Sequence, residues 1–390
     1  MKKPKWRLLH MLLGLVLFLA IVAGVNWVAD PYGAWQVRLV DRVYMKDRLE
    51  MTRVITPYRL RTKQPITLLI GASRVFMGMP IEQGDRDGVL NASLMGGTLD
   101  EIAAIVQVAI RQPKLQRLVW GVEFFTFDEA WAGIHDPKMP RRLDGDTQLR
   151  LLETLLTMEV LDESRKLFLR AIGGRKRLPA TRSVPVPWPE DVIREGLEEA
   201  RQHGRGDSAP TIPEHAITQW VDIYSNYRIS PRQMALFTET LAEIKRAGIE
   251  AIVFVPALRE YELEVIRQSG HWAVFQQWKR QLAAAGPYWD FSGYNEMAAA
   301  DYLYGDVAHF IPAAGNTILR LLLGEGCAAC GELAHPILKA GVRVDARTLE
   351  DHLAEGDARR IARTQRETRF SRAVEDLIRR KAIPVAGRPH

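Results

Sequence analysis

ITLLIGASRVFMGM (Ile66–Met79) is the stretch that decides the fold. Apolar and β-branched residues run without alternation from Ile66 to Ile70, stop at Gly71, and give way to two small residues and Arg74. A short continuous apolar run of this kind suits a strand buried on both faces of a parallel sheet, because a strand with one wet face alternates. Ser73 then stands just past the carboxyl end of that strand, where open parallel sheets place their ligand sites. It is either a nucleophile presented into the crevice or a serine that caps the next helix, and the stretch alone does not separate the two.

Outward from this point the texture is that of an α/β protein. A second short run, "GVLNASL", leads into "GGTLDEIAAIVQVAIRQ", where Thr98 can cap a helix and Ile102, Ile105, Val106, Val108 and Ala109 recur at helical spacing. "LQRLVWGVEFF" reads as a buried strand, with Phe124, Phe125 and Phe127 as core. From about 128 to 213 the chain turns charged and is read as a helical insertion, with helices near Gln148–Arg170 and Glu190–Gln202, a Pro-rich loop, and an Arg-Gly-Asp triplet taken as chance. Alternation resumes with a helix opening at Ser230 and closing at Gly248, the strand "IEAIVFVPA", a helix near Leu263–Ala285, "YWDFSGYN", and a last apolar helix from Pro312 to Gly324. Strands alternating with helices imply a parallel sheet covered on both faces. Residues 326–390 read as a helical, polar extension with a basic tail.

The 390 residues, 47% hydrophobic and 26% charged, have a globular balance, which sets disorder aside. Much of the net charge of +6 sits at the two ends, and no zinc-finger spacing, basic helix or aromatic RNA-binding signature accompanies it, so nucleic acid is not the expected partner. Lys2, Lys3, Lys5 and Arg7 (residues 1–7) precede an apolar run over 8–28 with no charge before Asp30. At 1.5 Å per residue that run reaches roughly 30 Å, the hydrocarbon thickness of a bilayer. A cleaved signal peptide is the rival reading, but "AIVAGVNW" lacks a small-x-small cleavage site, so an uncleaved anchor is expected. Its basic flank stays cytoplasmic, which places a juxtamembrane connection over 29–64 and all that follows outside, on the periplasmic side of the inner membrane. The two cysteines, Cys327 and Cys330, are read as a small disulfide loop or two thiols rather than a redox centre.

A strand-end nucleophile needs a base. "GDVAHF" offers Asp306 and His309, which converge if this stretch turns just before the last helix. The carboxylate would hold one ring nitrogen while the other takes the serine proton, the logic of a Ser-His-Asp triad, with backbone N–H groups facing the oxyanion. Each residue also has a bland role: Ser73 as a cap, Asp306 as a turn residue, His309 as a surface histidine.

In order, Gly71-Ala72-Ser73, the glycine pair Gly96 and Gly97 in "NASLMGG", and Asp306-x-x-His309 resemble the blocks of the SGNH (GDSL-like) hydrolase superfamily. "VFVPALREYELEVIRQSGHWAVFQQWKRQLA" and "DFSGYN" are similar to its membrane-anchored bacterial branch, distantly related to alginate O-acetyltransferases and to the D-alanyl-transfer protein of teichoic acid synthesis. The resemblance implies a flavodoxin-like three-layer sandwich over 65–325 with a central parallel sheet. It implies a serine esterase or O-acyltransferase acting on an envelope glycan or exopolysaccharide, its acyl donor delivered by a multi-spanning membrane acyltransferase, with no cofactor or metal. The superfamily's third block carries an asparagine that donates to the oxyanion; Glu123 stands at that position here, and an ionised carboxylate has no proton to give. Either the N–H groups of Ser73 and Gly97 suffice, or Asn91 substitutes, or Glu123 does other work, or the protein is an inactive glycan-binding or export scaffold. Arg74 has no role derivable at this level. There is no Walker phosphate loop, no dinucleotide fingerprint and no His-Glu-x-x-His, and "GDRDG" is too short for a calcium loop.

Overall fold

The computed structural model describes residues 3–32, 34–35, 37, 45–79, 88–133, 136, 139–144, 147–172, 187–203, 214–365 and 369–381. The Arg-Gly-Asp triplet, most of "GDRDG", the first half of the Pro-rich loop and the tail beyond 381 lie outside the described residues. The chain forms two compact units, one from residues 1–64 and 136–182, the other from 65–135 and 183–390. The segment read as a single insertion over 128–213 is divided between them, and the extension after 325 belongs to the same unit as the sheet.

The larger unit is built on six strands: β1 (Thr67–Ile70), β2 (Val89–Asn91), β3 (Arg117–Gly121), β4 (Glu250–Val255), β5 (Tyr288–Asp290) and β6 (Val342–Val344). They lie in the order β2-β1-β3-β4-β5-β6; the first five are parallel and β6 is antiparallel to β5. All four residues of β1 are buried between β2 and β3, with Leu68 opposite Leu90 and Leu118, which explains the unbroken apolar run. The chain winds to one side from β1 to β2 and to the other from β1 to β3. That reversal opens a crevice at the carboxyl ends of these strands.

Helices cover both faces. On one, Leu69, Val75, Val119 and Phe254 join a buried cluster with Ile193 and Leu197 of the helix Glu190–His203 and with Ala314 and Ile318 of the helix Pro312–Leu322. On the other, Trp120 packs on Phe237 of the helix Pro231–Arg246, and Phe127 meets both Phe237 and Trp278. Phe124, Phe125 and Phe127 are all buried, each such ring contributing about 1.5–3 kcal/mol by leaving water.

Helix termini follow the expected signals. Thr98 closes a capping box with Glu101, Ser230 caps Pro231–Arg246, and Pro312 takes the first turn of its helix. The single helix expected near Leu263–Ala285 is two, Glu260–Gln268 and Trp272–Ala285, because Gly270 turns at φ +82° between them. The extension read as wholly helical contributes β6, whose three residues are too few to carry a period.

The smaller unit holds an apolar helix, Lys3–Ala29, of which Trp6–Ala29 is long and apolar enough to cross a membrane. Helix Met45–Lys63 lies within the stretch read as a connection. The helix expected near Gln148–Arg170 is a pair, Thr147–Leu156 and Met158–Ile172.

Candidate active site

Two glycines shape the crevice floor. A Cβ on Gly71 would sit 2.6 Å from Val75 Cγ2 and 2.8 Å from the Gly121 carbonyl oxygen, and one on Gly121 would also strike Val75. Their absence lets the helix Ser73–Gly78 drop onto the ends of β1 and β3. The cap position of this helix is Ala72, whose side chain makes no capping bond, so Ser73 is the first helical residue and not the cap. It is half-buried, and among the described residues its hydroxyl has no hydrogen-bond partner.

Asp306 and His309 do converge. The turn before helix Pro312–Leu322 is closed by the antiparallel bridge Tyr304 to Phe310 and by the Gly305 N–H donating to the His309 carbonyl at 2.9 Å. Asp306 Oδ1 accepts the backbone N–H groups of Ala308 and His309, each at 2.8 Å, and His309 Nδ1 lies 2.9 Å from Oδ1 and 2.8 Å from Oδ2. Burial raises the Asp306 carboxyl, but the His309 hydrogen bond and charge and the two N–H groups outweigh it and hold it down to about 2. An ionised carboxylate only accepts, so the network assigns the proton to Nδ1 and leaves a lone pair on Nε2. His309 Nε2 is buried and without a hydrogen-bond partner among the described residues.

Ser73 Oγ and His309 Nε2 share no hydrogen bond. What joins their neighbourhoods is Arg74, fully buried, whose Nε donates to the Ala308 carbonyl at 3.1 Å, so the residue after the serine is tied to the residue before the histidine. Arg74 Nη1 pairs with Glu123 Oε2 and Nη2 with Glu262 Oε2. Its guanidinium also lies 5.2 Å from the Trp220 ring centroid. Arg74 and Glu123, the two residues the sequence left unexplained, are therefore partners: the carboxylate at the end of β3 anchors the cation that fastens the histidine loop. Glu262 Oε1 accepts the Tyr224 hydroxyl at 2.9 Å, and burial above all pushes the Glu262 carboxyl up to about 7, with Glu123 adding to it against Arg74, Tyr224 and His309. A second buried arginine, Arg259, donates to the Asp306 carbonyl at 3.0 Å and pairs with Asp301 at 2.7 Å.

The oxyanion candidates divide. Asn91 spends both amide hydrogens on the Val75 and Met79 carbonyls, at 3.0 and 2.9 Å, closing the end of the Ser73–Gly78 helix, while its oxygen accepts from Ser93 N–H. The Gly97 N–H donates to the Leu94 carbonyl at 3.2 Å. Gly96 supplies the φ of +55° that this turn requires. The Ser73 N–H, in the first helical turn, has no backbone acceptor among the described residues.

Arg259, Glu262 and Tyr224 were not singled out from the sequence. The available signal was "REYELE" directly after the carboxyl end of β4, a charged run where buried-site side chains are due. Cys327 and Cys330 are disulfide-bonded and buried. Among the described residues no group of three or more His, Cys, Asp or Glu side chains is placed to hold a metal ion. Compared with known proteins, the chain matches no protein-family model and no curated protein sequence.

Proposed function

We propose that the larger unit is a flavodoxin-like SGNH-type serine esterase or O-acyltransferase, held by the N-terminal helix at the inner membrane and facing the periplasm. The observation that carries this reading is the Asp306-His309 pair, its Nε2 buried and without a hydrogen-bond partner among the described residues, on a loop held at Ala308 by Arg74, the residue beside Ser73. The strand order β2-β1-β3-β4-β5, which puts Ser73 at a topological switch point, supports it, as does a disulfide suited to an oxidising compartment.

In this mechanism Ser73 Oγ attacks an ester carbonyl and passes its proton to His309 Nε2. His309 returns that proton to the departing alkoxide, leaving an acyl-serine. Water or a glycan hydroxyl then attacks the acyl carbon, giving its proton to Nε2, which reprotonates Ser73 Oγ as it leaves. Asp306 keeps Nδ1 protonated and offsets the imidazolium charge. The Ser73 N–H faces the oxyanion. A serine-histidine hydrogen bond forms when substrate fills the crevice, since catalytic hydrogen bonds are commonly completed only in the bound complex. Anchoring suits an envelope glycan or exopolysaccharide assembled at the membrane, with acyl groups supplied through a multi-spanning acyltransferase.

The spent donors of Asn91 and Gly97 favour a second reading, an inactive glycan-binding scaffold. Fluorophosphonate labelling of the full chain in detergent separates the two. The wild type is expected to label and Ser73→Ala not to; an unlabelled wild type beside a labelled serine esterase, or a labelled Ser73→Ala, removes the enzymatic reading.

A further inference from the structure

The smaller unit exposes apolar side chains well beyond its N-terminal helix. Leu149, Leu152 and Leu156 form a stripe at i, i+3 and i+7 on Thr147–Leu156, and Met158, Leu169 and Ile172 share one face of Met158–Ile172 at i, i+11 and i+14. All six are 48–82% exposed, an apolar surface that a water-soluble face does not normally carry. The opposite faces of the two helices are spoken for: Leu151, Thr154, Val160 and Ser164 are buried within the unit.

The N-terminal helix indicates the depth at which this surface sits. Trp6 and Trp27 are both exposed, near opposite ends of the apolar stretch. At 1.5 Å per residue they stand about 32 Å apart, close to the hydrocarbon thickness, and tryptophans concentrate at the two membrane interfaces. Beside Trp27, Asn26 donates to the Leu155 carbonyl at 2.9 Å and accepts from Ser164 Oγ at 2.9 Å. The bend between the paired helices is thereby pinned within a turn of the interfacial tryptophan, and the polar Asn26, costly in lipid if unpaired, is satisfied by it. Contact with the helix pair is confined to its end: Val22, Asn26 and Ala29 are buried, whereas residues 8–21 are exposed throughout.

We infer that the helix pair Thr147–Ile172 lies in the outer membrane–water interface beside the span, its Leu149-Leu152-Leu156-Met158-Leu169-Ile172 surface against the acyl chains of the lipid. This rests on the proposed role of the N-terminal helix as a membrane span. The pair carries Arg150, Arg165, Lys166 and Arg170 against Glu153, Glu159, Asp162 and Glu163, so it is neutral and holds the bilayer by apolar burial rather than by attraction to anionic headgroups.

The test uses the full chain reconstituted in phosphatidylcholine vesicles, with bimane on single cysteines introduced by Leu152→Cys, Met158→Cys or Ile172→Cys. The native cysteines are paired and leave these thiols unique. Leu15→Cys marks the span. Lipids with brominated acyl chains are expected to quench all three sites to at least about half the extent seen at Leu15, and adding phosphatidylglycerol to leave this unchanged. Quenching at Leu15 with the three sites quenched only by aqueous iodide overturns the inference while sparing the anchor. Three sites shielded from both quenchers identify a protein partner, or a second copy, and overturn it as well. No lipid quenching at Leu15 overturns both the anchor and the inference.

Discussion

Glu262→Gln should flatten part of the pH dependence of stability. Arg74, Glu123 and Glu262 are each at most 1% exposed, and one cation cannot neutralise two carboxylates. Full ionisation would leave a net negative charge in the interior, so the Glu262 carboxyl is held up at about 7 against an ordinary 4.5. Between those values the folded chain keeps a proton that the unfolded chain has lost. The stability this contributes is complete below pH 4.5 and is lost as pH rises through 7. The gap of 7 − 4.5 = 2.5 units corresponds to about 3 kcal/mol at 1.36 kcal/mol per unit. Glutamine keeps the shape and can accept from the Tyr224 hydroxyl but does not titrate. Denaturant unfolding of the full chain in detergent, followed by tryptophan fluorescence from pH 4.5 to 8, measures the difference between the two proteins. The variant should gain on the wild type by about 3 kcal/mol across that range. His271, which burial lowers, titrates with the opposite sign in both proteins and cancels from the difference. Parallel stability curves would refute the reasoning, because they would mean that Glu262 titrates alike in the folded and unfolded chain.

Arg74→Met leaves Glu123 and Glu262 buried without their cation and should cost about 3–5 kcal/mol in the same unfolding assay; a loss under about 1 kcal/mol would show that the carboxylates reach water. Asp306→Asn offers His309 Nδ1 an amide hydrogen, stabilises the tautomer protonated on Nε2, and should slow fluorophosphonate labelling of Ser73 by roughly 10³–10⁴-fold, read from labelling time courses. Gly315→Ala drives a Cβ into the Gly78 carbonyl oxygen, a backbone atom that cannot rotate away, and should lower the melting temperature by an amount equivalent to about 1–3 kcal/mol.

Much of the sheet was legible because burial on both faces writes itself as continuous apolar runs. β1, β3 and β4 fall where those runs lie, and capping at Thr98 and Ser230 follows from side chains that bond the first turn of their own helix. β6 was not legible, because a three-residue edge strand is specified by its pairing with β5 and not by any period of its own. The helix pair at Thr147–Ile172 read as one helix because neither glycine nor proline marks the break at Thr157.

Spacing in the sequence was enough to nominate Asp306 and His309, since residues three apart can meet within one turn, and the end of an apolar run was enough to nominate Ser73. Local sequence thus determined strands β1, β3 and β4, the caps and the candidate triad. Only the tertiary structure decided the rest: that Arg74 reaches Ala308 across 234 positions of sequence, that Glu123 pairs with it, and that Glu262 and Tyr224 complete the cluster. Buried charges must find partners, but which ones they find depends on where the crossovers of the sheet bring the strand ends together, and no window of sequence contains that information.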